Sequence, residues 1–541
     1  MLKITNIRLP FDAEEDALRR VVLKKLRIHP DELKKMRILK CSLDARRGRR
    51  GGHSGQICRE YSVAVQVKKE AEILRRHRGD RDIAVYHENK YHFPYHAEGR
   101  PAQPPVIVGS GPAGLFCGLY LARAGFAPIV IERGREVEVR KEKVQAFWNG
   151  GRLDPECNVQ FGEGGAGTFS DGKLGTMVKD RSGMRTAVLE TFVEAGAPEE
   201  ILYTNKPHLG TDQLSGIVRN MREEIIRCGG QVHFGCRADD LILEDGRLQG
   251  IRLSSGECIA APAAVLAVGH SARDTFRMLY RRGMHIEQKP FAIGVRAEHP
   301  QSMINKAQYG TEDDRLPAAN YKLTAHTAGG RSVYSFCMCP GGYVVNASSE
   351  EGMCTVNGMS NQARDSENAN SAIVVSVGPE DYGSDHPLAG VEFQRRWEKK
   401  TFEEGGGKVP VQLYEDFRLN RTSDHFGDVH PVHMGAYAFG NLRRCLPDSA
   451  AESILEAMPQ FGRRIEGFDR PDTIFSGIEA RTSSPIRMVR DESMQSNLRG
   501  VFPCGEGAGY AGGITSAAMD GIRTAEAVAM FYTEMDNKND Q

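Results

Sequence analysis

The stretch "VIVGSGPAGLFCGLYLARAGFAPIVIERG" (Val106–Gly134) runs from a short apolar strand through a glycine turn into an apolar helix, and then into a second strand that ends in an acid. Gly109 permits the tight turn, Gly111 lets backbone N–H groups approach a pyrophosphate at the helix start, and Gly114 lets helix and strand pack closely. Ser110, Pro112 and Ala113 complete the turn and the first helical positions. Glu132 ends the second strand 18 residues after Gly114, where a carboxylate can accept the ribose hydroxyls of an adenosine, and Arg133 follows it. A lone G-x-G-x-x-G could be only a turn. With strands, helix and acid in register it reads as a dinucleotide-binding fingerprint.

A second glycine stretch lies near the other end of the chain, "VFPCGEGAGYAGGITSAAMDGIRTAEAV" (Val501–Val528). A strand runs into Gly505-Glu506, and Gly512-Gly513 then precede a helix that begins at Ile514 and carries small residues along one side. It resembles the C-terminal motif of two-dinucleotide-binding flavoproteins, most of which have Asp at the place of Glu506. A long cofactor held by both ends of a chain argues for FAD. A flavin that accepts a hydride gains negative charge, which N–H groups at a positive helix end stabilise.

A third stretch, "FGEGGAGTFSDGKLGT" (Phe161–Thr176), almost contains a P-loop. Gly167, four residues, then Gly172 and Lys173 fit the frame, but Leu174 has no hydroxyl to hold Mg²⁺ and no clear strand precedes it. Its place, about 30 residues after Glu132, is where related flavoproteins carry a glycine loop along the pyrophosphate and the isoalloxazine ring. Gly164, Gly165, Ala166 and Gly167 would then bring backbone to the cofactor, with Thr168 and Ser170 supplying hydroxyls and Lys173 a positive charge beside reduced flavin.

Together with "AVGHSARDTF" (Ala267–Phe276), "SFCMCPGGYVV" (Ser335–Val345) and "GIEARTSSPIR" (Gly477–Arg487), these strings make most of the chain resemble a bacterial family of uncharacterised FAD-dependent dehydrogenases. The resemblance implies a glutathione-reductase-type FAD domain. It implies that Ala267 and Gly269 pass the cofactor at a strand end, with Val268 in the place of the usual Thr, and that Ala238 offers a backbone contact to adenine. The activity expected is an FAD-dependent oxidoreductase that moves a hydride between flavin N5 and a small organic substrate. His270 is a candidate proton donor, and Arg481, with Arg487, a candidate anchor for an anionic substrate. No second fingerprint is present, so a nicotinamide cofactor, NAD(P)H, would bind transiently.

The 541 residues are too many for one core. The fold class expected is α/β: a Rossmann-like FAD-binding domain with an inserted antiparallel β-rich α+β domain and a small N-terminal ferredoxin-like βαββαβ domain. The divisions are 1–95 for the N-terminal domain, 104–285 for the first part of the FAD-binding domain, 286–468 for the inserted cap, and 469–541 for the C-terminal part. The N-terminal order is read from strands at Leu2–Arg8, Met36–Leu43, Tyr61–Val67 and Ile83–Tyr86 with helices at Ala13–Lys25 and Glu70–Arg78. A hairpin is expected over Leu241–Leu253 and a buried strand over Ala263–Val268. Residues 1–100 hold 24 Lys and Arg against 14 Asp and Glu, a basic appendage on an acidic body.

No run approaches the roughly 18 apolar residues of a membrane span, and the N-terminus has no apolar leader, so a cytoplasmic protein without a membrane partner is expected. The 12 cysteines form no C-x-x-C, and Cys337 and Cys339, on an alternating strand, read as plain thiols on one face. The histidines of "DHFGDVHPVH" (Asp424–His433) fit no metal-ligand spacing, and no metal is expected. "RRGRRGGH" (Arg46–His53) reads as a solvated hairpin tip; RNA binding is its sharper alternative, giving an RNA-directed flavoprotein as a second function. A third reading makes FAD purely structural. Substrate identity and oligomeric state are not written in the sequence.

Overall fold

A computed structural model describes residues 1–14, 16–45 and 56–539; the basic stretch Arg46–His53 lies outside them. The fingerprint strand Val106–Val108 sits at the centre of a five-stranded parallel sheet. Ile129–Glu132 and Gln231–Phe234 lie to one side of it, Ala264–Leu266 and Val501–Pro503 to the other. In chain order this is 3-2-1-4-5, so the connection reverses direction between Val106–Val108 and Ala264–Leu266, and the carboxyl ends of these two strands open the crevice where such sheets bind ligands. Close packing there depends on glycine. Gly109 has φ +103°, and a Cβ on it would stand 2.4 Å from the Ala267 carbonyl oxygen. A Cβ on Gly521 in the C-terminal helix Ile514–Asn539 would stand 2.2 Å from the Ala113 oxygen of the helix Pro112–Arg123, so these two helices cross almost backbone to backbone. The expected hairpin is Ala238–Glu244 with Arg247–Leu253, turned through Asp245 and Gly246 at φ +48° and +72°, and Cys258–Ala260 extends it to three strands.

The β-rich segment forms a seven-stranded sheet in which Phe291–Pro300 pairs antiparallel with Asn368–Val377 on one side and Ile474–Glu479 on the other. Ile474–Glu479 falls within the segment 469–541, yet every one of its six residues is buried in this sheet. The parallel sheet is rejoined only at Val501–Pro503. The strand Ser332–Cys339 is not regular: its register with Asn368–Val377 shifts between Phe336 and Cys339, and Cys337 has φ +42°. Cys337 is exposed while Cys339 is buried, although both line one cavity. A bulge inserts residues and breaks the two-residue alternation.

Residues 2–85 form a four-stranded antiparallel sheet with strand order Leu33–Asp44, Cys58–Val67, Leu2–Pro10, Ile83–Val85, and the helices Ala17–Leu26 and Glu70–Arg76 complete a βαββαβ element order. Its edge strand Leu33–Asp44 is covered by the body. Cys41 N–H donates to the Tyr203 carbonyl at 2.7 Å, and Asn205 N–H donates to the Cys41 carbonyl at 2.8 Å. Both groups of Cys41 point outward from the small sheet, so Cys41→Pro keeps that sheet and removes one docking bond. The amide of Asn205 should then exchange with solvent roughly fivefold faster, at about 1 kcal/mol per backbone bond; hydrogen exchange resolved by mass spectrometry checks this.

Candidate functional site

One cavity of about 650 Å³ opens at the carboxyl ends of the parallel strands and continues to the seven-stranded sheet. Its first wall is the fingerprint turn. Glu132 is buried, and its carboxylate accepts four hydrogen bonds: from the Ser110 N–H and hydroxyl, both at 2.9 Å, and from the N–H groups of Gly134 and Gly162, both at 3.0 Å. The acid expected to meet a ribose thus also ties three turns together. Arg133 lies over the Phe161 ring at 4.2 Å and forks onto Asp274 at 3.0 and 2.8 Å.

The second wall is the loop that resembled a P-loop. It follows no strand and contains the short 3₁₀ turn Ala166–Phe169 and a single antiparallel bridge from Lys173 to His208. It is shaped by Arg140, whose side chain is fully buried. Nε donates to the Asn158 carbonyl at 3.0 Å, Nη2 to Val159 at 2.9 Å, and Nη1 to Glu163 and Gly165 at 2.7 and 2.9 Å with Gly162 at 3.2 Å. Burial pulls its pKa down to about 10, still charged at neutral pH. Nothing in the sequence around Arg140 marks it; its partners lie 18 to 25 residues onward. The loop then meets the fingerprint glycine to glycine, since a Cβ on Gly165 would stand 3.0 Å from the Gly111 Cα.

Most of the residues singled out from sequence line this cavity: Gly109, Gly111, Pro112, Ala113, Glu132, Arg133, Gly165, Ala166, Gly167, Ser170, Lys173, Ala238, Ala267, Gly269, His270, Arg481, Glu506, Gly512, Gly513 and Ile514. Ser110, Gly114, Gly164, Thr168 and Gly505 stand behind its wall. The Ser110 hydroxyl is on Glu132, Gly114 abuts the Gly109 oxygen, Gly164 abuts the Thr168 hydroxyl, and Gly505 abuts Ala113. Ser170 donates to the Gly167 carbonyl at 2.7 Å and accepts from Gly172 N–H at 3.0 Å, so its hydroxyl braces the loop itself. A Cβ on Gly269 or Gly512 would meet nothing within 4 Å, so both leave space beside the cavity that a side chain would fill, as a cradle for a flat or extended cofactor requires.

The polar candidates fare differently. His270 accepts or donates at Ser271 Oγ over 3.0 Å, and burial together with the nearby Arg481 and Arg273 lowers its pKa to about 3. That shift favours the neutral imidazole. Arg481 forks onto Glu398 at 2.9 and 2.8 Å and donates to Ser271 and Ser349 at 3.1 and 2.5 Å. Arg273 grips the same carboxylate from the other side at 2.9 and 2.7 Å, and the two guanidiniums hold buried Glu398 down to about 2 against the effect of burial. Arg481 thus makes four internal hydrogen bonds while lining the cavity, and Arg487 lies over Tyr510 at 5.2 Å. Lys173 pairs with buried Asp171 at 2.9 Å, and its Nζ donates to the Met338 carbonyl of the seven-stranded sheet. Burial opposes its charge, but Cys339, Asp171 and Cys337 raise its pKa above the usual lysine value.

Sequence reasoning missed Asp171, Lys206, Lys322, Arg364 and Glu479, all on this cavity. His433 meets Glu298 at 3.0 Å and His425 meets Asp424 at 2.5 Å, so the histidine loop does not converge on one point. Among the described residues no cluster of His, Cys, Asp and Glu could hold a metal, and no helix is long and apolar enough to cross a membrane.

Residues 290–482 match the family described as FAD-dependent protein, C-terminal domain-like, and residues 1–50 match a domain of unknown function. An uncharacterized protein of Clostridium beijerinckii is 47% identical over 533 residues, 97% of this chain and 98% of that one. Protein FixC of Escherichia coli K12 is 28% identical over 209 residues, 37% of this chain and 44% of FixC. Among solved structures, glycerol-3-phosphate dehydrogenase from Bacillus halodurans complexed with FAD aligns at 10% identity and a TM-score of 0.35 over 81% of this chain and 66% of its own. A quinol fumarate reductase of Escherichia coli aligns at 12% identity and a TM-score of 0.35 over 80% and 70%.

Arg140→Met should leave five carbonyls without their donor. It should lower stability by about 3 kcal/mol or more and strip the flavin from the purified protein. Arg140→Lys should not restore it, because one ammonium cannot reproduce the fork; thermal melts and the ratio of flavin to protein absorbance check both. The Glu506 carboxyl has no hydrogen-bond partner among the described residues, and burial, only partly offset by Lys289, raises its pKa to about 7. Below that pH it is a neutral donor, and above it a carboxylate that repels an anionic ligand. FAD affinity should fall as pH rises from about 6 to 8 in the wild type and stay flat in Glu506→Gln, read by fluorescence titration of the apoprotein.

Proposed function

The chain belongs to one family with the uncharacterized Clostridium beijerinckii protein and carries the FAD-dependent C-terminal domain-like segment at residues 290–482, and from that premise we propose that it is an oxidoreductase moving a hydride between flavin N5 and a small organic substrate. The observation that carries the proposal is the continuity of one cavity: the glycine turns that can take a dinucleotide and the polar groups of the seven-stranded sheet face the same space. A structural cofactor has no need of such an annex.

When bound, FAD supplies a two-electron centre. The chain's own part is to hold and polarise. The turns tied by Glu132 and Arg140 suit the pyrophosphate, and the adjoining Ala238 edge suits the adenine. The helix starting at Ile514 presents its positive end, with Gly512 and Gly513, to the cavity, where it would steady a developing negative charge. Lys173, 45% exposed and facing the cavity, would add a full charge to the same task. His270, held neutral, would act as a hydrogen-bond partner or proton acceptor.

In this reading residues 1–95 are a ferredoxin-like unit, supported by their βαββαβ order and strand arrangement, and the seven-stranded sheet is the substrate cap of a Rossmann-like flavin domain. A nicotinamide cofactor would visit the cavity transiently. Anaerobic stopped-flow reduction of the bound flavin by NADH, NADPH and a metabolite panel tests the proposal: bleaching at 450 nm or nearby by one candidate is expected, at roughly 1–10³ s⁻¹. Protein that stays colourless after refolding with FAD would overturn it.

A further inference from the structure

Where the cavity meets the seven-stranded sheet, it is lined by four cationic side chains, two of which share one carboxylate. Lys173, Lys206, Lys322, Arg364 and Asp171 all line it. Asp171 is buried and already shared, pairing with Arg364 and with Lys173 at 2.9 Å while accepting from the Ser360 hydroxyl. Lys206 donates to the Asn320 side-chain oxygen at 2.7 Å, and neither it nor Lys322 has a carboxylate partner among the described residues. The nearby acid Glu479 is engaged by buried Arg296 at 2.8 and 2.9 Å and offers the lysines no neutralisation.

Four cations on one cavity, with a single carboxylate shared by Lys173 and Arg364, leave a positive excess along a concave, partly apolar space. Lys206 feels it directly: burial and then the charge of Lys173 lower its pKa, a penalty that an anion between the two would relieve. The cluster is also braced. Lys206 follows Tyr203 and Asn205, whose backbones are bonded to Cys41 of the small N-terminal sheet, and Lys173 is tied to the Met338 carbonyl on the opposite wall. The glycine turns that suit a pyrophosphate lie at the strand ends, so this second cationic group is surplus to them.

We propose that this end of the cavity is the substrate site, and that the substrate carries a carboxylate or phosphate held by Lys206 and Lys322, with Lys173 nearest the glycine loop. The assignment rests on the oxidoreductase reading for the word substrate. The anion site itself does not depend on it. Isothermal titration calorimetry of the purified full-length protein with malonate and with inorganic phosphate reads the site whether or not flavin is reduced by anything. At least one of the two anions should bind saturably, the neutral malonamide should not, and preference between the two separates a carboxylate from a phosphate substrate. Lys206→Met combined with Lys322→Met should weaken that binding at least tenfold while the flavin content stays at the wild-type ratio. Lys206→Arg with Lys322→Arg should restore most of it, which a merely misfolded wall would not allow. Absence of saturable binding by either anion, or equal binding by the methionine double variant, would overturn the proposal. Anion binding in a protein whose flavin no metabolite reduces would keep the anion site and count against the oxidoreductase reading alone.

Discussion

The glycine loop at residues 158–165 is held by two buried side chains of opposite polarity. Arg140 takes its carbonyls and Glu132 takes an N–H, that of Gly162. A planar guanidinium can serve several acceptors because its donors are fixed in one fork. The loop in turn must pass close to it, and a Cβ on Gly162 would stand 2.4 Å from the Arg140 Cδ. Glu132 carries the same constraint into the fingerprint turn through Ser110 and Gly134, so the two glycine stretches that form the cavity's first walls are set as one unit.

A second ionic group joins the parallel sheet to the seven-stranded one. Glu398, on the helix Ala389–Glu404, lies between Arg273, which begins the helix after Ala264–Leu266, and Arg481, which follows the strand Ile474–Glu479. Three buried charges in contact contribute little net energy compared with an apolar core, but losing one partner leaves an uncompensated charge and costs several kcal/mol, typically about 3–5. Such a triad fixes relative position, and it commits four of the five N–H donors of cavity-lining Arg481 to internal acceptors.

How much of this was legible in the sequence follows from the range of each interaction. The fingerprint could be read because a tight turn, a close approach and an acid at a strand end all fall within 27 consecutive residues, Val106–Glu132. Gly512, Gly513 and the start of the C-terminal helix were legible for the same local reason. Arg140, Arg296 and Asp171 were not, since a buried charged residue looks like a surface one until partners far along the chain are known; Asp171 meets Arg364 across 193 positions. The bulge at Cys337 was hidden because a β pattern predicts alternation and carries no mark of an inserted residue. Ile474–Glu479 was assigned by its neighbours in sequence, although its hydrogen bonds go to Phe291–Pro300 and Val409–Leu413.

The near-match to an ATP motif gains a physical account from the same geometry. In a P-loop the lysine points back over a cradle of N–H groups toward a phosphate. Here Gly172, at φ +64°, turns the chain against Leu209, where a Cβ would stand 1.8 Å from that carbonyl oxygen, and this directs Lys173 outward to Asp171 and the Met338 carbonyl. The lysine thus reaches across the cavity to its far wall, away from the N–H groups of the loop that precedes it. Glycine at 172 is required by a contact with residue 209, and lysine at 173 by a contact with residues 171 and 338, so two independent constraints produced a pair of letters that sequence alone reads as one motif.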